Sequence, residues 1–515
     1  MIGRLTAVYQ RGMRQLGRLS MYRLVLLALG VLTLVALALS FFGLVLPSPA
    51  ELLATAAVLV AVGAAVDVVA HRILRLVWRP ESTLITAAIL VFVVRPGLDV
   101  ATLAGAAIAA AAASLSKYLI VWRGRHILNP AAVGATAATL STLGGSAWWV
   151  GTPALFAPLL LVSVLVLWRT EKLRVVALFY GVAVVVAAGR TIAQLYAAGA
   201  AMPLETLLQA VLVQSPYLFL GAFMLSEPLT LPPRRWQQYL VAVAVGALAG
   251  WPIPLGVITL GQERALLIGN LIAFAFAARG AVRLTLRRRT ALTPTVQELA
   301  FTAKRPVRFE PGQYLELDVP HRHPDARGTR REFSISSAPE DLPEIRIAFR
   351  ESRTGTASSY KRALAAARPG DVLAVTGVWG DFTLPRSPRT PVLMVAAGIG
   401  VTPFVSQLRH LRLAGETRDV VLIYVASSSD ELAYRADLEA TGVRTVVYTR
   451  DEPAGLPAHW TWAGGERLTA EGLHRAVPDL SRRHAYVSGP PALIADLAPA
   501  LGRAHGLTTD AFAGY

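Results

Sequence analysis

The strongest constraint on this chain is how unevenly its apolar residues are spread. Long apolar stretches fill residues 24–280, while most of the Asp and Glu fall in the remainder. A helix needs about 20 apolar residues to cross a bilayer, so the first half is expected to be a multi-pass helical membrane domain and the second a soluble one. A length of 515 residues with 54% hydrophobic content fits two or three domains, part of them in a membrane. The composition shifts near the basic run Arg283, Arg287, Arg288 and Arg289. Residues 1–282 are therefore assigned to the membrane domain, 290–388 to a small antiparallel β-barrel and 389–515 to an α/β nucleotide-binding domain.

About ten transmembrane helices are expected, near residues 24–46, 51–70, 83–94, 99–119, 130–145, 151–168, 174–196, 205–225, 237–250 and 259–279. The third, fifth and ninth are short, as tilted, broken or merged helices are. Basic residues alternate with these spans. With the N-terminus inside, the inner connections hold Arg72, Arg75 and Arg79, then Lys117, Arg123 and Arg125, then Arg169, Lys172 and Arg174, then Arg234 and Arg235. The outer ones hold only Arg95, Arg190 and Arg264. Under the positive-inside rule both termini face the cytoplasm, and the expected location is the cytoplasmic (inner) membrane, with lipid around the helices.

The same placement accounts for the formal charge of +17 without nucleic acid, which would need a basic face carrying base-stacking aromatics. The basic N-terminal stretch (Arg4, Arg11, Arg14, Arg18, Arg23) leads into a long apolar segment with many others behind it, so it reads as a first membrane helix and not a cleaved signal. Cysteine is absent, which excludes disulfides and cysteine-ligated clusters. Two bis-histidine haems need four histidines, and residues 24–280 offer only His71 and His126. No metal site is expected.

Two inner segments carry more specific signals. Asn129-Pro130 reads as an N-cap followed by proline at the first helical position, and the helix start it creates favours an anion such as a flavin phosphate. The residues Lys117-Tyr118 with Arg123-Gly124-Arg125-His126-Ile127-Leu128-Asn129-Pro130-Ala131, and later Met224-Leu225-Ser226-Glu227-Pro228-Leu229-Thr230-Leu231-Pro232, resemble segments of one membrane-protein family. That family comprises the D-type membrane protein of Rnf electron-transport complexes and the B-type membrane protein of the sodium-pumping NADH:quinone reductase. The resemblance implies a flavin, FMN or riboflavin, in the membrane domain. It does not extend to covalent attachment: the connection from Ala187 to Leu208 lacks a Ser-x-Ala-Thr type sequence, and Gly134-Ala135-Thr136 falls inside a membrane segment. Asp67, one turn above His71, reads either as an ion-linked carboxylate or as a solvated helix end.

Beyond residue 290 the pattern turns to alternating strands, such as Leu315–Val319 and Ile345–Phe349, and then to a βαβ unit built on Val392–Ala396, a helix from Pro403 and the strand Val420–Val425. The motifs along it are similar to those of the ferredoxin–NADP reductase superfamily, in the same order. Arg331-Glu332-Phe333-Ser334-Ile335-Ser336-Ser337 resembles its flavin signature. The resemblance implies that Arg331 pairs with the FAD pyrophosphate, Phe333 lines the flavin, and Ser334 sits near the flavin N5 where hydride arrives. Gly355-Thr356-Ala357-Ser358-Ser359-Tyr360 resembles the element that completes phosphate binding, and Gly377–Pro385 the stretch that closes the barrel.

Gly398-Ile399-Gly400-Val401-Thr402-Pro403 joins a strand to a helix and matches the nicotinamide nucleotide signature. Ser488-Gly489-Pro490 stands where relatives usually have Cys-Gly-Pro, so Ser488 is expected to act at the hydride site without a thiol. The last residues resemble those of members that end in an aromatic covering the flavin, which marks Phe512 and Tyr515. Acidic residues suit a free ribose hydroxyl, so Asp430 and Glu431 favour NADH over NADPH, with Arg450 as the residue that would serve NADPH.

The function expected is an FAD-dependent NAD(P)H oxidoreductase passing electrons into or across the membrane through flavin, towards a quinone or a redox flavoprotein. Two alternatives stay open: a membrane-anchored reductase serving a soluble cytoplasmic acceptor, and a redox-coupled ion transporter.

Overall fold

The computed structural model describes residues 21–74, 80–122, 125–170, 172–228, 230–232, 234–256, 258–277, 282–322, 329–351 and 358–511. The chain forms two compact units, Met1–Arg279 and Gly280–Tyr515.

The first unit is helical. Its helices are α1 (Met21–Phe41), α2 (Pro49–Leu74), α3 (Pro80–Val93), α4 (Val100–Leu119) and α5 (Pro130–Leu140). They continue with α6 (Pro153–Arg169), α7 (Leu173–Ala197), an interrupted α8 (Leu204–Leu225), α9 (Arg235–Gly250) and α10 (Gln262–Ala277). Two-residue strands β1 (Val121–Trp122) and β2 (Arg125–His126) pair before α5, and β3 (Ile253–Leu255) pairs with β4 (Ile258–Leu260) before α10. A helix occupies each position where the sequence suggests a span. Five of them, α1, α2, α4, α7 and α8, are long and apolar enough to cross a membrane, as a membrane-associated protein requires. The surface agrees: Leu34, Phe41, Leu161, Val185 and Tyr196 are all exposed, an apolar exterior that water would penalise.

Small residues let these helices close on one another. A Cβ on Gly250 of α9 would lie 2.6 Å from the carbonyl oxygen of Ala183 in α7, so the two backbones are in contact there. In α8 the regular ladder fails on both sides of Pro216, which has no N–H to give, and wider π turns take over at Gln209–Val213 and Leu220–Leu225.

The second unit opens with a six-stranded antiparallel sheet: β5 (Val282–Ala291), β6 (Val296–Ala303), β7 (Tyr314–Asp318), β8 (Arg330–Ser334), β9 (Glu344–Arg350) and β10 (Val372–Trp379), in the order β8–β7–β10–β5–β6–β9. An antiparallel bridge between Ile335 and Ile347 brings the β8 end back to β9 and closes the sheet. Leu284, Leu286, Phe301, Leu315, Leu317 and Ile347 fill the interior. The barrel starts at Val282, ahead of the 290 read from the sequence. Leu284 and Leu286 of this run are buried while Arg283 and Arg287 on either side are exposed, so the segment is a half-buried strand, with a register shift between Leu286 and Arg288.

A second six-stranded sheet follows, with every neighbour parallel: β11 (Val392–Ala397), β12 (Val420–Val425), β13 (Arg444–Tyr448), β14 (Trp460–Trp462), β15 (His484–Gly489) and β16 (Gly506–Ala511), ordered β14–β13–β12–β11–β15–β16. Its helices include α11 (Ser359–Ala365) before the sheet, then α12 (Thr402–Leu413), α13 (Arg435–Glu439), α14 (Ala470–Ala476) and α15 (Pro491–Leu501). The continuous apolar runs of β11 and β12 are buried on both faces, as parallel strands beneath helices must be. Strands β12 to β14 spread to one side of β11, and β15 and β16 to the other. In open α/β sheets ligands bind at such a switch point, outside the carboxyl ends of the strands.

Candidate functional site

At the carboxyl end of β11 the chain turns through Gly398, whose φ of +55° is costly for any side chain. Gly400 follows, and a Cβ there would lie 2.4 Å from the Ser488 carbonyl oxygen at the end of β15. A Cβ on Gly489 would lie 2.8 Å from that of Ala397, so the strand ends close against each other because residues 400 and 489 are glycines. Thr402, buried, donates from Oγ1 to the Ile399 carbonyl at 3.0 Å, and Pro403 sits in the first turn of α12. The α12 start lies at the switch point, where an anion is favoured. Ser488 is fully buried and its Oγ has no partner among the described residues. Backbone clefts shaped by glycines, a helix start and an orphaned hydroxyl fit a dinucleotide.

The flavin motif lies on β8. Arg331, Phe333 and Ser334 stand opposite Leu317, Leu315 and Tyr314 of β7. Phe333 stacks on Tyr360 of α11, with ring centres 6.1 Å apart and planes 25° apart, and the Arg331 guanidinium lies 4.9 Å from the centre of the same Tyr360 ring. Tyr360 donates its hydroxyl to the Leu317 carbonyl at 3.0 Å. Burial pushes that phenol well above its usual range, and it remains a neutral donor. Ser358 caps α11, accepting from the Lys361 amide at 3.2 Å. Tyr360 ends the second sequence motif, but the sequence assigns it no role. Its only signal there is position: an aromatic two residues after Ser358, within one helical turn of the cap.

Two bonds tie the end of the flavin motif to the nucleotide half. Tyr434 donates to Ser336 Oγ at 2.9 Å, and Ser406 of α12 donates to the Ser337 carbonyl at 2.7 Å. Arg350, at the end of β9, brings its guanidinium to 3.3 Å from where a Gly398 Cβ would be. Arg331, Phe333 and Ser334 thus lie along β8, the first two against Tyr360 of the helix that Ser358 caps, and Gly398, Gly400, Thr402, Pro403, Ser488, Gly489 and Pro490 lie at the switch point. Gly355, Thr356, Ala357, Phe512 and Tyr515 lie outside the described residues.

The acidic pair expected at the ribose divides. Glu431 accepts from Thr293 at 3.0 Å and Thr295 at 2.6 Å, so its carboxylate binds the barrel's first hairpin, while Asp430 stays exposed. Asp451, beyond β13, accepts instead from the backbone N–H of Ser429 at 3.2 Å and from its hydroxyl. Those bonds, the hydroxyl's first, hold Asp451 below the usual carboxylate range. It carries no sequence signal because its partner is 22 residues earlier in the chain.

In the helical unit the two inner motifs meet. Asn129 caps α5 by accepting from the Ala132 amide at 3.0 Å, while its Nδ2 donates to Glu227 at 2.7 Å and to the Met224 carbonyl at 3.4 Å. His126 Nδ1 lies 3.7 Å from the other Glu227 oxygen. Beside them is a cavity of about 100 Å³, walled by apolar side chains such as Ile85, Ile89 and Phe223 and by Lys117, Asn129 and Glu227 among its polar groups. Glu227 already places a carboxylate beside the α5 start, where the sequence suggests a phosphate.

Comparison with known proteins agrees with the second unit. The oxidoreductase NAD-binding domain family matches residues 394–498. Ferredoxin–NADP reductase B of Sorangium cellulosum is 33% identical over 205 residues, which span 39% of this chain and 79% of that protein. The chain belongs to the ferredoxin–NADP reductase family. Its second unit is that of an NAD(P)H-dependent FAD oxidoreductase. A flavohemoprotein of Deinococcus radiodurans is 33% identical over 191 residues, covering 35% of this chain and 45% of that one. The reductase component of propane 2-monooxygenase from Rhodococcus jostii is 28% identical over 209 residues, covering 39% of this chain and 54% of that one. The chain thus spans about half the length of these two relatives. Among solved structures, the cytochrome P450 reductase GcoB of Amycolatopsis aligns with a TM-score of 0.38 at 22% identity, over 45% of this chain and 70% of that one.

Proposed function

We propose that the chain oxidises NADH at its second unit and passes the electrons into the helical unit through a flavin-type ring held in the Lys117–Asn129–Glu227 cavity. The supporting observation is that convergence. Residues 95 or more positions apart, Asn129 with Met224 and Glu227, are brought together around a space walled by rings and aliphatic chains. Glu227 at the helix start favours an uncharged ring, as in riboflavin, over the phosphate of FMN. Ten crossings with both termini inside fit the helix positions and the distribution of arginines. The acceptor beyond is a quinone or a redox flavoprotein, and domain limits near 282 and 389 accommodate the three parts.

In the second unit Arg331 and Ser358, with Gly355, Thr356 and Ala357, would hold the FAD pyrophosphate, and Phe333 would line the isoalloxazine with Tyr360 behind it. FAD, when bound, takes hydride from NADH and releases electrons singly. Gly398, Gly400, Thr402 and Pro403 receive the nucleotide pyrophosphate and nicotinamide end. Gly489 and Pro490 set the depth of the pocket, Ser488 offers its hydroxyl to the nicotinamide, and Ser334 stands near the point of hydride transfer. Phe512 and Tyr515, by the family resemblance, would cover the flavin. Asp451 and Asp430 favour the 2′-hydroxyl of NADH over a 2′-phosphate.

Flavin analysis of the full-length protein tests this reading. The expected result is FAD plus a second flavin per chain, with Arg331→Ala losing the FAD and keeping the second. A single FAD, lost in that variant, would leave the membrane unit without a carrier. The second reading, a membrane-anchored reductase for a soluble acceptor, draws on the relatives named as monooxygenase reductase components. It requires that same single-flavin result.

A further inference from the structure

One buried group of the helical unit is not used by the site above. Asp67 of α2 is 2% exposed. One of its oxygens accepts from Tyr118 of α4 at 3.0 Å, and the other from Lys117 at 3.5 Å and from Thr83 of α3. The Tyr118 hydroxyl is also 3.2 Å from His71 Nδ1, whose N–H is shared with the Asp67 backbone carbonyl at 2.6 Å, and His71 is only half-buried, at the last turn of α2 beside exposed Arg72. Lys117 is 8% exposed, donates to the Ser82 carbonyl at 3.3 Å, and lines the cavity. The order is therefore unbroken: outer surface of the unit, His71, Tyr118, Asp67, Lys117, cavity. Every link is within hydrogen-bond reach, and every side chain in it can gain or lose a proton.

We infer that His71, Tyr118, Asp67 and Lys117 form a proton-uptake path into the cavity. The inference rests on the reading that the cavity holds a flavin-type ring that binds a proton on reduction. A purely structural ion pair would need Asp67 and Lys117 only. It gives no reason for Asp67 to spend its second oxygen on a tyrosine that also touches an exposed-end histidine. The electrons come from NADH by way of FAD. Lys117 breaks one Nζ–H bond as the ring forms its new N–H bond, and becomes a neutral amine. Asp67, protonated by Tyr118 on the oxygen facing that hydroxyl, turns its carboxyl about the Cβ–Cγ bond and passes the same proton to the amine. Tyr118 is made whole by imidazolium His71, and His71 by water. One proton enters from the surface and one reaches the ring. Among the charged and titratable groups beside this line, His126 and Glu227 line the same cavity as Lys117.

The test is anaerobic single turnover of the full-length, flavin-loaded protein with NADH, followed by flavin absorbance in H2O and D2O. A fast phase reports hydride transfer to FAD, and a slower one reports electron arrival in the helical unit. The slower phase is expected to slow in D2O. Asp67→Asn and Tyr118→Phe should slow it further, by about 100-fold, the low end of what a positioned proton donor contributes. The fast phase should be unchanged in both, and its amplitude shows that each variant is folded and loaded. Asp67→Glu should restore the slower phase. Because Tyr118→Phe removes one oxygen and leaves the Asp67–Lys117 pair intact, an unchanged slower phase in that variant overturns the path. A wild type with no slower phase overturns the reading of the cavity and the path together, whereas a normal slower phase indifferent to D2O, Asp67→Asn and Tyr118→Phe overturns the path alone.

Discussion

Ser488 shows how much one atom can decide. A buried hydroxyl without a partner costs about 1–3 kcal/mol, and Ser488 Oγ is in that position among the described residues. Stability alone would select alanine here, so the hydroxyl is best explained by a partner that arrives with the nucleotide. Ser488→Ala should therefore raise the thermal midpoint of the unliganded second unit, by about 2–4 °C for each kcal/mol recovered in a domain of this size. The same variant should raise KM for NADH and leave kcat within a few-fold, because hydride passes directly between two rings that the protein only positions. Differential scanning calorimetry and steady-state kinetics on one preparation check both signs. A lower midpoint would mean that Oγ already has a partner in the resting protein.

At the scale of elements, the barrel and the nucleotide sheet are joined by charge as well as by Tyr434 and Ser406. Asp341, in the turn after the flavin motif, accepts from Arg409 Nε and Nη2 of α12, each at 2.7 Å, and from the Ala338 amide at 2.8 Å. Arg346 of β9 lies 3.4 Å away, and Arg409 continues to Asp437 of α13 at 3.1 Å. Burial is the largest single effect and would raise the Asp341 pKa, but the hydrogen bonds from Arg409 and the Ala338 amide, with the charges of Arg409 and Arg346, together outweigh it and hold the carboxyl below its usual value. A carboxyl lowered in the folded state stabilises fully above its unfolded pKa, near about 3.9 for aspartate. That stability is lost as the pH falls through the lower, folded value. Asp341→Asn should thus destabilise the second unit by about 2–4 kcal/mol at pH 7, having left two guanidinium groups short of an anion. The deficit should shrink as the wild type is acidified below pH 4, which urea melts across pH 3–7 would show.

This junction is not legible in the sequence, because none of Asp341, Arg346, Arg409 or Asp437 belongs to a motif and their partners are up to 68 residues apart. What is legible depends on short range. The turn from β11 into α12 can be read because a strand, its glycines and its helix cap are contiguous. Asn129-Pro130 can be read as a cap for the same reason, and the cap is there. Tyr360 and Asp451 stay hidden because each is defined by what it packs on. Glu431 points wrongly to the ribose because an acidic side chain at a strand end looks the same whether it faces a ligand or a pair of threonines.

For the whole molecule, the division of the chain into units has a direct consequence at β5. The compact units separate at Arg279 and Gly280, and β5 begins two residues later at Val282. This strand sits in the middle of its sheet, hydrogen-bonded to β10 on one side and to β6 on the other, and it supplies Leu284 and Leu286 to the barrel core. Removing an edge strand can be tolerated, but removing this one would expose ladder groups on two neighbours and open the closed sheet. A chain beginning at Gly280 is therefore expected to fold, bind FAD and reduce ferricyanide with NADH at the full-length rate. One beginning at residue 290, where composition alone places the boundary, should be insoluble or free of flavin, since it lacks all but the last two residues of β5. Expression of the two truncated chains side by side, with flavin absorbance and NADH–ferricyanide activity, distinguishes them. Equal FAD content in both would show that the barrel closes without its first strand, and that the arginines from Arg283 to Arg289 belong to the linker their charge suggests.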